Sequence, residues 1–338
     1  MIYSAVVRLI NVHTKSLENF ADDNKPTPPY AILSHTWGPD HEEISFQDLQ
    51  ADEIKSGPGR EKFEKCCAQA ILDNLAYAWI DTCCIDKTNS TELNEGYVQA
   101  INSMFKWYKN ARICYAYLCD VDSAEDVFKS QSTFWKSRWF RRGWTLQELI
   151  APGNLRFYDG NWRAIGHKRD SQVAAALVQI THIPRIFLLG IVPMNEASVA
   201  QRMSWAANRV TRRTEDLAYC LLGIFGITMP MLYGEGEKAF LRFQEAIARH
   251  INDDSILAWG FSRDGSSYKP SGVRSGGALA NSPSSFAYCS HIVPSNPSSH
   301  VGGPLDTLGG SLVLRRNVHT DSSGQRFVIL HHWRPGAS

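Results

Sequence analysis

Two hydrophobic periods take turns along the first half of the chain. Ala5 to Val12 is a β-rich run, followed by a polar, proline-bearing connector through Pro29. Tyr30-Ala-Ile-Leu-Ser-His-Thr-Trp-Gly38 starts apolar and ends polar, which predicts a buried strand closing in a glycine-terminated turn. Arg60 to Ala78 predicts a helix with Phe63, Cys66, Cys67, Ala70, Ile71 and Leu75 on one face. Trp79-Ile-Asp-Thr-Cys-Cys-Ile-Asp86 reads as a second buried strand with Asp81 inside it. Glu92 to Lys109 predicts an amphipathic helix with Tyr97, Ile101, Met104, Phe105 and Tyr108 inward. Ala111 to Leu118 and Leu155 to Tyr158 complete the set of strands. Alternation of this kind predicts an α/β fold, a mostly parallel sheet flanked by helices and joined by right-handed crossovers.

Beyond about Gly160 the period becomes helical throughout. Asp170 to Thr181, Ala197 to Asn208, Thr214 to Phe225 and Glu237 to His250 all predict helices, with Thr214 as an N-cap and Leu217, Leu221, Ile224 and Phe225 inward. Gly234-Glu-Gly-Glu237 precedes the last of them. A glycine turn at a helix start can cradle phosphate, but this one lacks the Gly-x-Gly-x-x-Gly spacing and a P-loop lysine, so it reads as a plain turn. From Ser262 the chain is Ser/Gly/Pro-rich, with short β-like pieces at Ser311 to Arg315 and Arg326 to His332. That end reads as a β-rich appendix that stops abruptly, as in a fragment or a short paralogue. The expected organisation is an α/β core over 5–160, a helical extension packed on it over 161–260, and a linker with a partial β-rich appendix over 261–338.

Composition narrows the class. An apolar content of 43% and a charged content of 20% describe a soluble globular chain, and a formal charge of +1 gives no electrostatic case for nucleic acid or a membrane surface. The eight cysteines include the adjacent pairs Cys66-Cys67 and Cys83-Cys84 and no Cys-x-x-Cys, so neither a disulfide framework nor a metal site is expected. Free thiols, the absence of a secretion-type N-terminus and the lack of a spanning apolar run predict a cytoplasmic protein.

The densest chemistry lies between Trp135 and Pro152. Three tryptophans and a phenylalanine surround four basic side chains, and Glu148 stands alone among Trp144, Leu146, Leu149 and Ile150. Gly143 reads as a loop-to-helix hinge, and Trp144 to Ile150 as a short helix halted by Pro152. A single acid in apolar company is a candidate active-site group; equally, it can pair with Arg141 or Arg142 and anchor its helix. Ser34, Trp37 and Asp81 sit at expected strand ends, where open α/β sheets place ligand contacts. Trp37, Trp139 or Trp144 can stack on an aromatic ring or fill the core, and Arg141 and Arg142 can hold a pyrophosphate or face solvent. Ser34 and His35 alternate in direction along a strand and lack a nucleophile elbow, which argues against a hydrolase triad.

Four blocks resemble the fungal heterokaryon-incompatibility (HET) domain: Tyr30 to Gly38, Trp79 to Asp86, Ile101-Asn-Ser-Met-Phe-Lys-Trp-Tyr108, and Arg138-Trp-Phe-Arg-Arg-Gly-Trp-Thr-Leu-Gln-Glu-Leu-Ile-Ala-Pro152. The stretches Glu215 to Gly226 and Tyr233 to Phe240 are similar to the region after that core in many such proteins. The resemblance implies an effector of non-self recognition, an innate-immunity role in which programmed cell death accompanies fusion of incompatible hyphae. It also implies self-association and contact with other incompatibility proteins. A more distant resemblance is to Toll/interleukin-receptor (TIR) domains, flavodoxin-like modules of which many cleave NAD. Tyr30-Ala-Ile-Leu-Ser-His35 resembles their first strand. Arg142-Gly-Trp-Thr-Leu-Gln-Glu-Leu149 keeps the tryptophan, glutamate and leucine of their catalytic block, with Arg142 and Thr145 replacing its serine and cysteine. This implies NAD as a substrate with no bound cofactor, Glu148 as the catalytic residue, and Ser34, Trp37, Asp81, Arg142 and Trp144 as substrate contacts. A non-enzymatic, self-associating interaction module is the alternative.

Overall fold

The computed structural model describes residues 7–20, 26–86, 95–123, 126–260, 279–292, 313–320 and 326–333. Its centre is the strand β3, Tyr30–His35, every residue of which is buried. Seven strands form one sheet: β1 Val7–Asn11, β2 Leu17–Phe20, β3, β4 Tyr77–Trp79, β5 Ile113–Tyr117, β6 Leu155–Tyr158 and β7 Ala164–His167, in the order β2-β1-β4-β3-β5-β6-β7. The middle strands β4, β3, β5 and β6 run parallel, and antiparallel strands close both edges. The parallel part has the strand order of a flavodoxin-like doubly wound sheet, whose topological switch point falls between β3 and β5. Residues buried on both faces explain why β3 and β5 are continuous apolar runs rather than alternating ones.

Helices α1 Phe46–Gln50 and α2 Pro58–Leu72 link β3 to β4. Beyond β4 come α3 Asp81–Cys84, α4 Glu95–Asn110, α5 Thr133–Lys136 and α6 Thr145–Ile150. Pro58 sits in the first turn of α2, where a missing N–H costs nothing. Two tyrosines tie α4 to the central strand: Tyr30 donates its hydroxyl to the Trp107 carbonyl at 2.6 Å, and Tyr108 donates to the Leu33 carbonyl at 3.0 Å. The remaining helices are α7 Ser171–Thr181, α8 Arg185–Leu188, α9 Val199–Ala206, α10 Asp216–Tyr219, α11 Leu222–Phe225 and α12 Lys238–His250. Their buried side chains join those of the sheet in one continuous core. The close approach is clearest where α11 meets α4, since a Cβ on Gly223 would lie 2.2 Å from that of Phe105.

The structure departs from the sequence expectations in definite ways. The second strand ends at Trp79, and Asp81 opens α3 instead of lying inside a strand. Turning the chain there takes the carboxylate out of the sheet interior, where it would be an unpaired buried charge. Ile71 faces solvent, unlike Cys66, Cys67 and Ala70 of the same helix, and α2 ends at Leu72, six residues short of the expected boundary. Thr214 caps nothing, and the helix expected there breaks into α10 and α11 around Cys220 and Leu221, with Glu215 at the cap. The edge strands β2 and β7 lack apolar alternation and were not expected; short polar edges discourage further pairing. The Tyr97 side chain and most of the Ser/Gly/Pro-rich stretch lie outside the described residues, while 313–320 and 326–333 pair as antiparallel strands.

The first turn of α2 presses on the segment just after β3. A Cβ on Gly59 would stand 1.9 Å from the Glu42 carbonyl oxygen, and Lys62 of the same helix donates to both carboxylate oxygens of Glu43 at 2.7 and 2.6 Å. Gly59→Ala therefore forces the helix and this segment apart, an overpacking cost of about 1–3 kcal/mol. Urea denaturation should show the loss, and an unchanged midpoint would mean the contact yields freely.

Candidate functional site

All six residues of α6 are buried, so Glu148 is carried into the protein by its helix and not held at the surface. Its Oε2 accepts the Ser34 hydroxyl at 2.5 Å, and Ser34 Oγ in turn accepts the Trp139 indole N–H at 2.8 Å. The indole donor fixes the direction of this relay: with Oγ already accepting, the serine proton points at the carboxyl. Trp139 is held edge-on against Phe140 and Phe157, at ring separations of 5.1 and 5.7 Å. Glu148 thus sits beneath the C-terminal half of β3, at the switch point.

Burial dominates its electrostatics. Glu148 is 5% exposed, and desolvation pushes its carboxyl up to about 8. The Ser34 hydrogen bond opposes that shift, the Asp81 charge reinforces it, and the Tyr108 hydroxyl and Arg142 pull it down. The same Tyr108 hydroxyl also reaches the Leu33 carbonyl at 3.0 Å. Among the described residues no salt bridge reaches Glu148. The helix-anchoring pair with Arg141 is not formed: Arg141 is exposed, and its carbonyl accepts the Val210 N–H at 2.6 Å.

The other expected site residues divide into three groups. Trp37 donates its indole N–H to Asp81 Oδ2 at 2.7 Å, and Asp81 Oδ1 lies 3.8 Å from His35 Nε2, which also faces Glu43 at 3.8 Å. His35 points away from Ser34, so no triad exists. Arg142 is half-buried and within electrostatic reach of Glu148, and its carbonyl accepts Arg209 Nη1 at 2.8 Å and the Thr145 hydroxyl at 2.9 Å. Trp144 turns aside to Asp216, which also accepts the Tyr233 hydroxyl at 2.9 Å. Trp139, a stacking candidate by sequence, is fully buried and spent on Ser34.

Gly143 is not a hinge of unusual dihedral. It is small because the 209–211 segment passes over it, and a Cβ would meet Thr211 Cγ2 at 2.5 Å and Cys220 Sγ at 3.1 Å. The glycine turn before α12 is filled from within, since Glu215 Oε1 accepts the N–H groups of Gly234 and Gly236 at 2.8 and 3.0 Å. Tyr108, Arg138, Arg209 and Arg212 belong to the neighbourhood but were not singled out by sequence. The basic run from Arg209 to Arg213 was visible; that it folds back over the end of β3 was not.

Residues 30–133 match the family described as Heterokaryon incompatibility protein (HET). The chain carries a heterokaryon-incompatibility domain. Over 236 residues it is 47% identical to Vegetative incompatibility protein HET-E-1 of Podospora anserina, a match that takes in 68% of this chain and 17% of that protein. The chain therefore spans about a sixth of the length of the curated relative it matches. No solved structure matches it. The HET-matched residues supply Ser34, Trp37 and Asp81, whereas Arg142, Trp144 and Glu148 lie just beyond them. Among the described residues no His, Cys, Asp and Glu cluster is placed to hold a metal ion, and no helix is long and apolar enough to cross a membrane.

The protonation of Glu148 has a measurable consequence. Its carboxyl is raised from 4.5 to about 8 on folding, so between those values the folded state holds more protons than the unfolded state, and stability falls as pH rises. Glu148→Gln removes this slope. The urea midpoint of the variant relative to the parent should climb between about pH 5 and pH 9. A difference independent of pH would show that burial does not protonate the group.

Proposed function

We propose that this chain is an effector of fungal heterokaryon incompatibility, acting in the cytoplasm, that triggers cell death by cleaving NAD at Glu148. The Ser34–Glu148 hydrogen bond at the β3–β5 switch point carries the reading, because it sets a lone carboxyl where doubly wound sheets receive nucleotides. The HET match and the likeness to HET-E-1 support the biological role.

The chemistry suits one carboxylate. The bond from the ribose anomeric carbon to the ring nitrogen breaks and nicotinamide departs as a neutral molecule, so no general acid is needed; water adds to the same carbon and gives its proton to solvent, and the oxocarbenium-like ribose between these events needs adjacent negative charge and held hydroxyls. A carboxyl raised to about 8 is neutral at rest, so the catalyst must ionise when substrate arrives. A pyridinium cation entering beside Glu148 favours that ionisation, as any opposite charge at close range does. The closed, protonated arrangement is then the resting form, and self-association with other incompatibility proteins is the trigger that opens it.

The burial of Glu148 also supports a second reading, a self-associating interaction module in which the carboxyl is structural. Oligomerised protein incubated with NAD distinguishes them. Free nicotinamide should accumulate, and Glu148→Gln should slow it by about 100-fold or more. Turnover untouched by that substitution removes Glu148 from the mechanism. Cell killing without nicotinamide release in any assembly state favours the interaction module.

A further inference from the structure

Two arginines from distant parts of the chain close on the turn at the end of β3. Arg138, in the 3-10 turn after α5, donates Nε to Thr36 Oγ1 at 3.2 Å and Nη2 to Cys119 Sγ at 3.0 Å, joining the ends of β3 and β5. Arg212 arrives from the helical half of the chain. Its Nη2 donates to the Gly38 carbonyl at 3.3 Å, its Nη1 pairs with Asp40 at 2.8 Å, and its guanidinium carbon lies 5.7 Å from the centre of the Trp37 ring.

Arg142 is the third. It is half-buried and feels the charges of both Arg138 and Arg212, which oppose its own, with Glu148 and Asp216 on the favourable side. Among the described residues its guanidinium makes no hydrogen bond or ion pair, although its backbone is pinned by Arg209 and Thr145. Like charges gathered around an unoccupied, partly desolvated guanidinium are costly unless an anion joins them. The chain as a whole supplies no such field, at a formal charge of +1. The concentration is local, and it lies at the switch point. Arg138 and Arg212 are both solvent-exposed, so an anion can reach the group without the protein opening.

We propose that Arg138, Arg142 and Arg212 form a diphosphate-binding subsite over the C-terminal ends of β3 and β5, taking the pyrophosphate of a nucleoside diphosphate or dinucleotide. Guanidinium forks match phosphate oxygens in pairs, and Trp37 beside Arg212 offers a ring face to the attached base. Arg141, the other arginine expected from sequence to share this task, is exposed and serves as the control for diffuse charge. The proposal rests on the NAD reading only for which nucleotide is bound; the phosphate contacts do not require Glu148 to react.

Titration calorimetry with ADP, inorganic pyrophosphate and adenosine tests it on the full chain. ADP and pyrophosphate should bind, and adenosine should not. Arg142→Gln and Arg212→Gln should each weaken ADP binding roughly tenfold or more, while Arg141→Gln leaves it within about twofold. Arg212 is exposed, so its variant keeps the fold even if the Arg142 variant does not, and melting curves verify both. Nicotinamide release is scored separately from binding: a protein that binds ADP through Arg142 and Arg212 yet releases no nicotinamide retains the subsite and loses the NAD reading. Failure of the parent to bind ADP or pyrophosphate at millimolar concentration overturns the proposal. So does equal weakening by Arg141→Gln, which would reduce the effect to diffuse charge.

Discussion

The relay from Trp139 through Ser34 to Glu148 joins three parts of the fold that sequence keeps far apart. Ser34 is on the central strand, Trp139 on the 3-10 turn after α5, and Glu148 on the buried helix before β6. Burying a carboxyl this deeply is costly unless it is neutral or paired, and among the described residues no salt bridge closes on it. Desolvation is the largest influence and favours the protonated acid, while the hydroxyls of Ser34 on one side and Tyr108 on another work against it by favouring the carboxylate. The surroundings of the site are shaped by the same need. Tyr108 must be fixed by Leu33, Trp139 by its phenylalanine neighbours, and α6 must bury its whole length.

Legibility in the sequence tracked the range of the interactions involved. The central strand and the alternation of strands and helices could be read because both faces of β3 and β5 are buried and their residues are mostly apolar. The edges could not, since Leu17–Phe20 and Ala164–His167 owe their strand conformation to a neighbour rather than to their own pattern. Asp81 was misplaced for a related reason: an apolar run does not reveal where the chain turns out of the sheet. In the candidate site, Glu148 stood out as the lone acid of an apolar helix, and Ser34 as a polar residue closing a strand. Their hydrogen bond spans 114 positions and had no local signature. Arg212 was harder still, because it reaches Gly38 across 174 positions from a segment with a different hydrophobic period.

Together these contacts describe a site with two halves of opposite character. One half is buried and holds a carboxyl that desolvation pushes toward its neutral form. The other holds three guanidinium groups, two of them exposed and one half-buried. On the proposed reading, a ligand carrying phosphates at one end and a cationic ring at the other spans both halves, and its charge favours ionisation of Glu148 once the ring has entered.

The ionisation state of Glu148 is the point on which the account turns, and it can be observed directly. Carbon-13 NMR of glutamate labelled at the side-chain carboxyl, assigned by comparison with Glu148→Gln, tracks the group through its own titration. The account predicts a Glu148 resonance that titrates at about 8. A Glu148 resonance that titrates near the ordinary 4.5 would contradict it, because the carboxyl would then be charged and solvated in the folded protein.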